Sequence, residues 1–277
     1  MSSPAGMTST HHRTTGAGIV PPAPSRRSRR PIRTLLWVLV TLTALALVGA
    51  LIQVVAERRD AAAFPPPGEL VELPDGRALH LQVFGEQHDG PTVVLEAGAG
   101  APSVAWAWIQ PLVAQRYTVV SYDRAGLGWS DPAGHGTTAA AVVEDLHSAL
   151  QVRGLSGPYV LVGHSLGAHY VRAFAATHAD EVSGVVLVDP SHEDQLRVLG
   201  EDGDPTQMRS MFTALRAATL FGLTRLYNPL TEGLEGLPEP ARSQVLAQMH
   251  APGRVEAITE EYLAINEVGA DRRHHRR

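Results

Sequence analysis

Gly163-His164-Ser165-Leu166-Gly167 is the stretch whose reading decides the fold. Tyr159-Val160-Leu161-Val162 before it is a short apolar run, partly β-branched and bounded by Gly157-Pro158, which predicts a strand. From Leu166 onward the chain is rich in helix formers, among them Ala168, Ala173, Ala175 and Ala176. A Gly-x-Ser-x-Gly between a strand and a helix reads as a nucleophile elbow, a sharp, strained turn that lifts the serine hydroxyl above a sheet. The glycines follow from sterics, because a turn this tight brings backbones too close for a Cβ. A helix starting at Leu166 aims free N–H groups at the charge that develops on an attacked carbonyl.

Outward from the turn, strands and helices alternate. Leu70 to Leu73 and Leu79 to Phe84 flank Pro74-Asp75-Gly76, a hairpin signal. Thr92-Val93-Val94-Leu95 predicts a strand ending at Glu96-Ala97-Gly98-Ala99-Gly100. Val104 to Ala114 is expected as a helix with Trp106 and Ile109 on one face. Tyr117 to Tyr122 predicts a strand, and Thr138 to Val152 a helix with Val142, Leu146 and Ala149 on one face. Val185-Val186-Leu187-Val188 predicts the strand after the turn, ending at Asp189. Apolar strands alternating with helices indicate an α/β fold, a mostly parallel sheet with helices on both faces.

In this order and spacing the chain resembles the α/β-hydrolase family. The matching parts are Glu96 to Gly100, Tyr122-Asp123-Arg124-Ala125-Gly126-Leu127-Gly128-Trp129-Ser130, Gly163 to Gly167 and Val188-Asp189. The resemblance covers roughly residues 70 to 195 and is similar to a membrane-anchored bacterial branch of the family. It implies that Ser165 is the nucleophile and that the backbone N–H groups of Ala99 and Leu166 form the oxyanion hole. The expected substrate is a small-molecule ester or amide, hydrolysed through an acyl-enzyme with no cofactor. Acyl transfer, cofactor-free haloperoxidase chemistry, or a non-catalytic membrane-tethered binding role on the same fold remain open. His164 and His169 are read as packing or structural residues, and Asp123-Arg124 as a loop-fixing ion pair. Trp129 lines the pocket or only packs.

The resemblance also implies a chain order of serine, acid, histidine, with the last two after strands seven and eight. The residues after Asp189 predict no strand. Gln207 to Tyr227 is expected as a helix with Met211, Leu215, Ala218 and Leu226 on one face; Glu239 to Met249 as a second; and Val255, Ile258, Tyr262 and Ile265 mark a third. These resemble a helical cap inserted after the sixth strand, leaving the fold C-terminally incomplete. Three readings compete: a chain shortened by truncation or frameshift, Asp189 as the acid with His250 or His192 as the base, or a natural pseudoenzyme. Under the first, turnover is expected to be weak or absent, and an unprotected edge strand to promote aggregation.

The N-terminal part sets the location. Residues 1–33 carry arginine and no acidic residue, and are expected to be a disordered, basic cytoplasmic segment. Residues 34–56 have no formal charge and predict a transmembrane helix, a signal anchor with the rest of the chain extracytoplasmic. Residues 57–69 are read as a linker, 70–194 as the hydrolase core, 195–267 as the cap region and 268–277 as a tail outside the family pattern. The net charge of −5 argues against a nucleic-acid surface, and the absence of cysteine removes disulfides and thiolate ligands. His11-His12 and His274-His275 lack ligand spacing, so no metal is read from them. Oligomeric state has no sequence signal.

Overall fold

A computed structural model describes residues 30–134, 137–192, 205–231 and 234–271. The chain divides into two compact units, one up to Thr43 and one from Ala44 onward. The described part of the first is the beginning of helix α1, Arg30–Ala63, which continues into the second. Its segment Ile32–Ala63, with mean hydropathy 2.6, is long and apolar enough to cross a membrane. The helix covers the predicted span and runs on through residues 57–63, where a linker was expected. Glu57 to Ala63 are helix-compatible, and no proline intervenes before Pro65. Residues 30–33, expected to be disordered, are helical too; the rest of that basic segment lies outside the described residues.

Within the second unit α1 is fastened by its polar side chains. Gln53, only 2% exposed, donates to the His250 carbonyl at 2.6 Å and accepts from Arg225 Nε at 2.9 Å. Arg225 also donates to Asp60 at 2.8 Å. A Cβ on Gly49 would fall 2.5 Å from the Phe221 carbonyl oxygen, so the helix approaches here as only glycine allows.

The sheet has six strands among the described residues: β1 (Glu69–Glu72), β2 (Ala78–Phe84), β3 (Thr92–Glu96), β4 (Val119–Tyr122), β5 (Tyr159–His164) and β6 (Val182–Val188). Their spatial order is β1-β2-β4-β3-β5-β6. The hairpin β1–β2 joins antiparallel to β4, and β4, β3, β5 and β6 run parallel. Both faces are covered, and the period of two sorts the side chains between them. Val94, Val120 and Leu161 pack under helices α3 (Ala139–Arg153) and α4 (Gly167–Thr177), with Leu146, Leu150 and Phe174. Val93, Leu95 and Val119 pack on the other face with Trp106. Helix α3 has the predicted face, with Val142, Leu146 and Ala149 buried. Its ends are fixed by Thr138, whose hydroxyl accepts from Ala141 N–H, and by Gly154 in the left-handed region.

Two local expectations are corrected. Val104 to Ala114 is not one helix: a 3-10 turn at Ser103–Trp106 is followed by a short α2, Gln110–Val113. Pro111 sets this start, since it supplies no N–H to an earlier turn. In α5 (Pro205–Leu220) Phe212 and Thr219 are buried and the predicted Leu215 packs against Phe212, while Met211 and Leu226 are exposed, the latter lying beyond the helix. Helices α6 (Ala241–Met249) and α7 (Pro252–Asp271) form where the second and third helices after Asp189 were expected. Val255 and Ile258 of α7 pack with Leu127 and Phe212. Strand β6 ends the described sheet with β5 as its neighbour, and Val185 to Val188 are each at least 40% exposed.

Candidate functional site

Ser165 lies between β5 and α4 with φ of 50°, a left-handed backbone that a non-glycine residue adopts at a cost of order 1–3 kcal/mol. The flanking glycines behave as predicted. A Cβ on Gly163 would lie 2.7 Å from the Gly167 carbonyl oxygen, and one on Gly167 would lie 2.6 Å from that of Glu96. The loop after β3 crosses directly over the serine, since a Cβ on Gly98 would come within 3.3 Å of Ser165 Cβ. Ala99 packs with Leu166 and Tyr170, so the two predicted amide donors belong to neighbouring segments.

The parallel register brings a second strand end to the same place. His164 pairs with Val188, so Ser165 and Asp189 follow side by side. Asp189 is the other non-glycine residue with positive φ, 42°. Ser165 N–H donates to the Val188 carbonyl and Ser191 N–H donates to the Ser165 carbonyl, both at 3.1 Å. Ser165 Oγ meets Ser191 Oγ at 3.3 Å. Ser191 was not singled out in the sequence; its signal is its position three residues after the end of β6, the strand adjacent to β5.

The structure places Ser165, Asp189 and the Gly98–Gly100 loop together; His164 lies against the same loop, its Nδ1 3.1 Å from where a Cβ on Gly98 would lie, without bonding to the serine hydroxyl. Among the described residues no histidine nitrogen lies within hydrogen-bond distance of Ser165 Oγ. His164 packs edge-on to Trp106. His250 caps α6 on the α1 side, where burial, and then Arg225, push its imidazole below the usual range. His192 is exposed. Trp129 packs on His80 and donates to the Phe64 carbonyl. It also lines a cavity of about 790 Å³ with Glu57, Asp60, Arg254 and Glu260; Ser165 is not among the residues lining it.

The expected Asp123–Arg124 ion pair does not form, because the two side chains leave the loop in different directions. Asp123 accepts from His80 Nδ1 at 2.8 Å, Ser103 N–H at 2.6 Å and Trp129 N–H at 2.9 Å. Burial raises its pKa, but the His80 hydrogen bond and these amides outweigh that and hold the carboxyl below its ordinary range. Arg124 is 3% exposed and pairs instead with Glu96 and, on α7, with Glu261. It donates to the carbonyls of Ala97 at 2.8 Å and Gly98 at 2.7 Å, while Glu261 accepts from Gly100 N–H at 2.7 Å. The guanidinium and one carboxylate thus clamp the loop over Ser165 from below and from the cap. Burial opposes the charge on Arg124, and the carboxylates of Glu261 and Glu96 overcome it, keeping the guanidinium protonated. No sequence spacing links Glu261 to Glu96; only the fold does.

The chain belongs to the alpha/beta hydrolase fold family, whose model matches residues 91–234. An uncharacterized protein of Schizosaccharomyces pombe is 31% identical over 166 residues, covering 50% of this chain and 31% of that protein. An uncharacterized protein of Bacillus subtilis is 34% identical over 117 residues, covering 42% of this chain and 46% of that one. The chain therefore spans less than half the length of these relatives. The crystal structure of a hydrolase from Pseudomonas aeruginosa PA01 shares the fold, with a TM-score of 0.53 at 18% identity over 74% of each chain.

Proposed function

We propose that the chain is a membrane-anchored serine hydrolase in which Ser165 Oγ attacks the carbonyl of a small ester or amide. The observation that carries this reading is the left-handed Ser165 between β5 and α4, directly beneath the Gly98–Gly100 loop. In the tetrahedral intermediate the new oxyanion would accept from the N–H groups of Leu166 and Ala99. Each preorganised donor of this kind contributes about 3 kcal/mol. The hydroxyl proton needs an acceptor. Asp189, beside Ser165 in the sheet, is the candidate acid of the site, and no described histidine takes the proton. Turnover by the 277-residue chain is therefore expected to be weak, sustained by binding and the oxyanion donors at about 10³–10⁴ over water. Helix α1 holds the domain at a membrane surface, with the basic segment before it on the cytoplasmic side.

Reaction of the full chain in detergent micelles with a fluorophosphonate, beside a short acyl ester assay, tests this. Slow, stoichiometric labelling that vanishes in Ser165→Ala is the expected outcome. Labelling that survives Ser165→Ala, or no labelling of the unmutated chain, overturns the assignment of Ser165. Ester turnover at rates typical of complete triads would instead show that a base is present.

A further inference from the structure

At the other end of the sheet three ligand-type side chains converge from three segments. His147 is on α3, His178 closes α4, and Glu181 ends the short 3-10 turn leading into β6. His147 Nε2 lies 3.0 and 3.2 Å from the two Glu181 carboxylate oxygens, and His178 Nδ1 lies 3.7 Å from one of them. The three ligand atoms all fall within 4.8 Å of one another. Tetrahedral zinc with bonds of about 2.0–2.1 Å needs ligand atoms roughly 3.3 Å apart. The distances to the carboxylate bracket that value; to aim both ring nitrogens at one ion, one imidazole turns out of the stack it forms with the other.

The two rings are neighbours before any ion binds. They stack with centroids 3.9 Å apart and planes 18° apart. Both also pack on Phe174, which is completely buried, so the imidazoles are held from behind by apolar contact. The side chains of His147, His178 and Glu181 keep 25%, 23% and 27% of their exposure, which leaves an outward position for water. Two imidazoles and one carboxylate, with no thiolate in the chain, form a nitrogen-rich set that suits zinc rather than magnesium or calcium.

We propose that His147, His178 and Glu181 bind one Zn²⁺ that joins α3 to the junction between α4 and β6. The role is structural. Glu181 immediately precedes Val182, which pairs with Tyr159 at the start of β5, whereas Ser165 follows its end. About 20 Å of strand separates the metal from the serine. The predicted absence of a metal came from adjacent histidine pairs outside the described residues. This site uses different histidines, far apart in sequence, that only the packing of α3 on α4 brings together.

The test is a titration of ZnCl₂ into the chelator-stripped full chain in detergent, with thermal melting alongside and no need for enzymatic activity. The partner is His147→Gln, which keeps an amide donor facing Glu181 and removes the ligand nitrogen. Because other histidines can take up zinc, the difference between the two chains is the readout. The expected result is one more equivalent bound by the unmutated chain. Its melting temperature should rise by roughly 5–10 °C at zinc a hundredfold above Kd, and the variant's should not. Equal stoichiometry and equal thermal response in the two chains would overturn the proposal. Glu181→Gln provides the same comparison should His147→Gln fail to fold.

Discussion

At the scale of single residues, the loop over Ser165 depends on buried ion pairs. Arg124 was legible as a loop-fixing residue, since it follows a strand and precedes a glycine-rich run. Its partners were not, because Glu96 and Glu261 are far apart in the chain and meet only when α7 lies on the β3 loop. Glu261→Ala would leave Gly100 N–H without its acceptor and Arg124 with one carboxylate instead of two. Breaking a buried pair in this way costs about 3–5 kcal/mol, so the melting temperature should fall sharply. Glu261→Gln restores an acceptor for Gly100 and should recover part of that loss. Both variants should also slow phosphonate labelling of Ser165, because the loop that carries Ala99 loses its upper hold. Unchanged melting in Glu261→Ala would show that the clamp contributes nothing.

At the scale of elements, the readable parts were those whose own pattern decides them. Helix α3 has its apolar face, its threonine cap and its terminal glycine within one stretch, and it forms as predicted. The strands of the parallel sheet are short apolar runs ended by glycine-rich turns, and they too are found in place. The segment Val104–Ala114 failed because one proline outweighed its apolar spacing. Helix α5 was read correctly at Leu215 and missed at Met211: Met211 and Phe212 are adjacent and both apolar, so periodicity alone could not choose between them, and contact with Val255 and Ile258 did. Strand β6 carries a different consequence. Its apolar side chains are exposed, with Val186 at 48%, and no charge or proline lies within it. Val186→Lys should reduce light scattering by concentrated protein while changing stability by only about 0.5 kcal/mol, as for other exposed positions. Scattering unaltered by the charge would mean that aggregation starts elsewhere.

At the scale of the whole molecule, the chain combines a long apolar helix with a hydrolase-fold domain. The apolar helix was legible from its uncharged run, and its extension through Ala63 was not, because the residues beyond the run are polar but still favour helix. The chain should stay in the membrane pellet after alkaline carbonate washing. Leu42→Arg with Leu45→Arg, each costing about 2.5–3.5 kcal/mol near a bilayer centre, should release it to the supernatant. Carbonate extraction of the unmutated chain would refute anchoring by α1. The hydrogen bonds that Gln53 donates to the His250 carbonyl and that Arg225 donates to Gln53 and Asp60 then acquire a mechanical meaning. A helix held at Gly49, Gln53 and Asp60 cannot turn about its own axis there without breaking these contacts, so its C-terminal half and the turn that carries Arg225 move as one piece.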